Sequence, residues 1–240
     1  MEIFYLIIAV IAIIILTTKL KIHAFLALFI ISILYGIFAG MPYADIILSI
    51  NEGFGGTLGK IGLIIVLGVI IGAFLENTGG AFAIAEKVLK IIGRKRVPTA
   101  MGIIGYIVSI PVFADSGFML LHPLNKSLSK KAKISIAGPA IALGLGLMAS
   151  HTMVPPTPGP IAAAGILDAD LGLVIAFGFP TSIVALIVGI IFAKKYASKT
   201  YIEPDVEDTL TADKEINDSP GALKSSIPIL VPIVLIVLKS

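Results

Sequence analysis

The sequence predicts an all-α integral membrane fold containing a re-entrant hairpin and a broken helix, and three observations carry that prediction. Hydrophobic residues make up 57% of the 240-residue chain and charged residues 14%, with a mean hydropathy of +1.04. A solvated globule carries about 25% charged residues. Apolar runs approaching the ~20 residues that a helix needs to cross hydrocarbon recur along the chain. Two further apolar stretches are interrupted by residues that cannot continue a helix. The same composition excludes most soluble functions. The net charge of +3 is too small to mark a nucleic-acid partner. Cysteine is absent, which removes disulfides, thiol catalysis and cysteine-ligated metals. His23, His122 and His151 lack the spacing of a metal motif, so no metal or cofactor is expected.

Taken in order, residues 3–18 and 22–40 are the first two spans. The first is not read as a cleaved signal, because Lys19 and Lys21 follow the apolar run instead of preceding it. Residues 41–52 read as a loop and 59–75 as the third span. Over residues 53–80, Gly55-x-x-x-Gly59 and Gly68-x-x-x-Gly72 set small residues on one helix face, a pattern for close helix packing. Residues 80–96 alternate so that Glu86, Lys87 and Lys90 share one face, which predicts an amphipathic helix on the cytoplasmic membrane surface.

Residues 97–125 are apolar at both ends and interrupted by Pro111-Val-Phe-Ala-Asp-Ser-Gly117, with the tip expected near Asp115, Ser116 and Gly117. Basic residues decide how this segment is read. They cluster at 19–21, 87–96, 126–133 and 194–224, and only Lys60 and Lys239 fall elsewhere. A single span over 97–125 would put neighbouring clusters on opposite sides. A hairpin that enters and returns leaves all four in the cytoplasm, with each arm about half a span. Residues 134–167 form a helix broken by Met153-Val-Pro-Pro-Thr-Pro-Gly-Pro160, and 171–193 is a further span. Residues 194–226, with seven acids from Glu203 to Asp218, read as a cytoplasmic linker. Residues 227–238 open a new apolar run of 12 residues, too short to cross. Residues 227–240 are therefore expected to begin a second membrane part that the chain truncates.

Unwound backbone at membrane depth is tolerated only where protein buries it or a polar cavity receives it. Two breaks in one bundle are therefore the principal functional signal. Helix ends at the breaks present free amides and a positive dipole end, which hold anionic groups. Ser116, Gly117, Thr152, Thr157 and Gly159 are the candidates for binding an anion. Asp115 either binds a coupling ion or caps the second hairpin arm. His151, beside the proline break, either exchanges protons or is a buried neutral histidine bonded to a freed carbonyl. His23 reads as interfacial and His122 as structural. This arrangement suits a secondary transporter that binds a small organic anion at mid-membrane and works by alternating access.

Four motifs in register resemble the gluconate permease family. They are Gly53-Phe-Gly-Gly-Thr-Leu-Gly-Lys-Ile-Gly62, Leu75-Glu-Asn-Thr-Gly-Gly-Ala81, Phe113-Ala-Asp-Ser-Gly-Phe118, and His151 followed by Pro155-Pro-Thr-Pro-Gly-Pro160. The resemblance implies a proton-coupled symporter of gluconate or a related hydroxy-carboxylate, with D-serine, glycerate or sodium coupling as alternatives. It also implies two inverted repeats, of which this chain supplies the first (1–193), the linker and the start of the second. The implied partners are the carboxylate substrate, the inner-membrane bilayer and the missing second repeat, and a homodimer stays open. The chain departs from the family pattern at Thr157, where many members have His, and at the Ala114-Asp115-Ser116 tip, which bears on the substrate. A channel would need a continuous polar pore. A membrane-embedded hydrolase would need paired carboxylates, a metal motif or a nucleophile with its base, and none of these is present.

Overall fold

The computed structural model describes residues 2–93, 96–204 and 221–239. Among these residues all regular structure is helical. The chain divides into two compact units, Met1–Lys60 and Ile61–Ser240.

The first unit holds α1 (Glu2–Thr18), α2 (Ala24–Phe38) and α3 (Tyr43–Thr57). Thr17 and Thr18 keep α1 helical to its end by donating to the Ile13 and Ile14 carbonyls at 2.8 and 2.6 Å. Lys21 then turns the chain with φ 53°. His23 caps α2, its Nδ1 accepting the Phe25 N–H at 3.3 Å. The sequence reading placed 41–52 in a loop, and the structure corrects it. That segment is helical because Ile46 of α3 is buried against Gly36 of α2, while the polar Asp45, Ser49, Asn51 and Glu52 stay exposed. A π-helical turn over Leu58–Gly62 follows.

The second unit contains α4 (Leu63–Asn77), α5 (Gly80–Ile92), α6 (Val97–Val108), α7 (Ala114–Lys131), α8 (Ala137–Met153), α9 (Pro158–Leu167), α10 (Leu171–Lys195) and α11 (Ala222–Lys239). Its centre is the crossing of α6 over α8, made close by glycine. A Cβ at Gly105 would stand 2.6 Å from the Leu143 carbonyl oxygen, and one at Gly146 would collide with the Gly102 carbonyl. α10 completes the layer. The Tyr106 hydroxyl of α6 lies 2.7 Å from Ser182 Oγ of α10. Ser182 Oγ itself donates to the Phe179 carbonyl at 2.8 Å, so Tyr106 is the donor in that pair.

The amphipathic pattern of α5 is real, but its setting differs from the expected one. Its apolar face does not lie on lipid. Ala81, Phe82, Ile84, Ala85, Val88 and Leu89 are buried in one core with α6, α7 and α8 residues and with Ile229 of α11. Glu86 and Lys90 form an ion pair at 3.0 Å on the other face. α11 starts at Ala222, ahead of the expected start at 227, and most of the predicted linker (205–220) lies outside the described residues.

By length and apolar composition, three helical stretches are able to cross a membrane: Tyr43–Asn77, Ala137–Leu167 and Leu171–Lys199. Ile3–Thr18, Ala24–Phe38, Val97–Val108 and Ala222–Ile236 are shorter apolar helices. Their outward faces carry large exposed apolar residues such as Phe4, Leu63, Val184 and Val188. Lipid, which needs no polar partner, can cover such a surface, and water cannot do so cheaply.

Candidate functional site

The first break occupies residues 109–113, between α6 and α7. Pro111 brings no amide to the α6 ladder and disfavours a helical residue before it. The Ser109 hydroxyl closes the turn by donating to the Val112 carbonyl at 3.1 Å. The break thus falls before Asp115-Ser116-Gly117, where the sequence reading had centred it. Those three residues form the first turn of α7, and Phe113 is the cap residue. Asp115 makes no capping hydrogen bond among the described residues, so the structure does not support the expected cap. Its carboxylate instead sits at the positive end of α7.

The second break occupies residues 154–157, between α8 and α9, and contains a cis Pro155-Pro156 bond. The buried Thr157 donates its hydroxyl to the Val154 carbonyl at 2.7 Å. Both breaks are therefore closed in the same way, by a hydroxyl bonded to a carbonyl three residues away.

The two breaks meet on α4. A Cβ on Gly72 would collide with the Pro111 carbonyl of the first break, and one on Gly68 would stand 3.1 Å from the Pro156 carbonyl of the second. Gly68 and Gly72 are one helical turn apart on one face. Between the breaks lies a narrow cleft lined by Gly68, Pro111, Phe113, His151, Pro156 and Thr157. The His151 and Phe113 rings pack with centroids 5.7 Å apart. His151 Nδ1 is buried with no hydrogen-bond partner, contrary to the expected bond to a freed carbonyl. Asp115 is close enough to His151 to interact with it electrostatically.

Of the candidate residues, His151 and Thr157 line this cleft, while Asp115 is exposed on the first turn of α7 and reaches His151 only electrostatically. Ser116 is half-buried in the first turn of α7 and makes no side-chain hydrogen bond among the described residues. The Gly117 amide is already bonded to the Phe113 carbonyl at 2.8 Å, and its Cα packs toward Leu147. Thr152 points elsewhere. It is exposed, donates to the Met148 carbonyl at 2.7 Å, and lines a separate cleft of about 640 Å³ between α8, α9 and α10. Gly159 is exposed, with open space where a Cβ would stand. His122 stacks on Phe118 one turn earlier, centroids 5.2 Å apart.

The helix ends differ in what they offer. No backbone acceptor takes the Ala114, Asp115 or Ser116 amides among the described residues. At α9, Pro158 and Pro160 have no N–H, so Gly159 is the one donor in its first three residues. The sequence reading missed Gly68, Gly72, Phe113 and Ser109. The Gly68-x-x-x-Gly72 spacing did signal a close approach, but not that two non-helical segments make it.

An all-helical chain with several apolar helices, and breaks buried in protein, fits a membrane protein. The comparisons with known proteins specify which. The model of the GntP family permeases matches residues 1–240, and the chain belongs to that family. It is 37% identical to an uncharacterized permease of Haemophilus influenzae over 98% of this chain and 50% of that protein. It is 34% identical to a gluconate permease of Pseudomonas aeruginosa over 97% and 52%. It is 35% identical to the D-serine transporter DsdX of Escherichia coli over 98% and 53%. The chain thus spans about half the length of the curated relatives it matches. No solved structure matches. The family and these relatives are permeases and transporters, not enzymes.

Proposed function

We propose that the chain forms the first of two inverted repeats of a secondary transporter that takes up gluconate or a related small hydroxy-carboxylate with protons. The observation that carries this reading is the meeting of both helix breaks on α4, beside His151 and the amide-bearing end of α7. The α6–α7 segment is a re-entrant hairpin. The basic loops and the linker between α10 and α11 face the cytoplasm.

In this reading the substrate carboxylate is received by the α7 amides and the Ser116 hydroxyl, with Gly159 contributing from α9. Asp115 stands at the same helix end. Its carboxylate and the substrate's would compete for one positive dipole and repel each other. A proton on Asp115 removes that conflict, and His151, electrostatically linked to Asp115, is the group through which that proton exchanges. Proton and anion then bind together and travel together, as symport requires. D-serine carries the same carboxylate and is the second reading, favoured by the D-serine transporter among the relatives.

The test is labelled-gluconate uptake by the full-length protein in proteoliposomes, with an imposed inward proton or sodium gradient and with glycerate and D-serine as competitors. Accumulation driven by the proton gradient is expected, together with an Asp115→Asn variant that exchanges substrate but no longer accumulates it. Absence of uptake under either gradient, with insertion verified, would overturn the transport reading. Proton-driven accumulation by Asp115→Asn would overturn the coupling role.

A further inference from the structure

We infer that the outer face of α10 and the turn that follows it form a binding site for one anionic phospholipid. This inference is independent of the transport reading. Val184, Val188, Phe192 and Tyr196 recur every four residues and so form one stripe along the helix. They are 61%, 60%, 49% and 53% exposed. An exposed apolar row of that kind offers an acyl chain a surface to lie along. The stripe ends in aromatic rings, with Phe192 stacked on Tyr196 at 5.5 Å between centroids. An exposed tyrosine at the end of an apolar helix marks the headgroup level of a bilayer.

At that level the chain makes a charged clamp. The short 3₁₀ turn Ala197–Lys199 folds back so that the Lys195 and Lys199 ammonium groups lie 5.8 and 5.7 Å from the Tyr196 ring centroid. Neither ammonium has a carboxylate partner among the described residues. The exposed Glu203 forms no ion pair either.

The clamp is held in place from behind. Ser135 Oγ donates to the Thr200 carbonyl at 2.7 Å and accepts the Ile202 N–H at 2.9 Å. The Ile136 N–H reaches the Ile202 carbonyl at 3.1 Å. Ser198 Oγ donates to the Ala193 carbonyl at 3.0 Å. These bonds tie the turn to the start of α8 and bring Lys133, two residues before Ser135, to the same end of the unit. The chemistry selected is therefore a phosphate monoanion carried on an acyl chain. The lysines and the tyrosine take the phosphate and the α10 stripe takes the chain.

The test uses the full-length protein reconstituted in bilayers, with spin-labelled phosphatidylglycerol and phosphatidylcholine as probes of relative association. The variants are Lys195→Gln with Lys199→Gln, and Lys87→Gln as an exposed-lysine control on α5. Each lysine facing an anionic headgroup contributes about fivefold to the preference, so the double variant should lose most of the phosphatidylglycerol preference and the control none of it. An unchanged preference in the double variant, or an equal loss in the control, would overturn the site. Displacement of the labelled phosphatidylglycerol by inorganic phosphate would also overturn it, since that would mark a free-anion site.

Discussion

Gly72→Ala probes whether α4 is the seat of the first break. In a helix an alanine is ordinarily better than a glycine by about 1 kcal/mol. At Gly56 in α3 nothing stands within 4 Å of an added Cβ, so that gain should be realised there. At Gly68 the Pro156 carbonyl oxygen is 3.1 Å away, close enough to cancel the gain. At Gly72 the added carbon would overlap the Pro111 carbonyl oxygen, with the carbonyl carbon at 3.2 Å and Val112 Cα at 3.5 Å. All three are backbone atoms and no rotamer relieves them. Overpacking of this sort costs about 1–3 kcal/mol, so the net change at Gly72 is a loss of up to ~2 kcal/mol. For a chain of this size that is a fall in Tm of roughly 2–4 °C per kcal/mol. The break must also move off α4, so saturable uptake should drop in Gly72→Ala and survive in Gly56→Ala. Melting in detergent and uptake in proteoliposomes read the two effects separately. If Gly72→Ala melted and transported like the parent protein, the Pro111 carbonyl would not rest on α4 and the convergence of the breaks would be wrong.

Three further outcomes are expected. Phe82→Ala removes a side chain 2% exposed in the α5 core and should cost about 3–5 kcal/mol, seen as a large fall in detergent melting temperature that would be absent if α5 lay on lipid. Tyr106→Phe deletes the donor to Ser182, whose hydroxyl keeps the Phe179 carbonyl. The cost should be about 0.6 kcal/mol, as for other bonds between membrane helices, and a melting shift of many degrees would refute that assignment. Thr157→Val removes the hydroxyl that closes the second break, for about 1 kcal/mol. It should lower melting temperature and maximal uptake while leaving KM unchanged. A raised KM at constant melting temperature would instead make Thr157 a substrate ligand.

Apolar periodicity was legible throughout, and what covered each apolar face was not. The pattern of residues 80–96 reports that one face of α5 is hydrophobic, a requirement that lipid and protein satisfy equally. The structure satisfies it with protein, through Phe82 and Leu89 in the core shared with α6. Residues 41–52 failed for the opposite reason. Asp45, Asn51 and Glu52 looked like loop residues, yet Ile46 alone on the buried side of α3 is enough to dock that helix on α2. The first break was read over 111–117, overlapping the observed 109–113, but its tip was centred a few residues late. Asp, Ser and Gly read as helix breakers, although acidic and hydroxyl residues are also favoured at helix starts. Pro111, which removes an amide, is where α6 gives way. The proline break was read over 153–160 and is narrower, 154–157, because prolines are tolerated in the first turn of a helix and Pro158 and Pro160 open α9.

The two helix ends at the site are unequal, and the inequality follows from sequence once the caps are known. An N-terminus normally frees its first amides. α9 begins Pro158-Gly-Pro160 and keeps one of its first three, while α7 begins Ala114-Asp-Ser116 and keeps all three. α9 therefore offers a dipole and a rigid entry, and α7 offers directed donors. The hydroxyls divide in the same way. Thr157 and Ser109 have spent their protons inside their own breaks, whereas Ser116 has not. Donors that hold a shape and donors that remain for a ligand are thus different residues, and the latter concentrate at the α7 end. Asp115 is the acid within that first turn. In the proposed reading, a carboxylate at this helix end makes the charge state of Asp115 decide whether a second anion can share it.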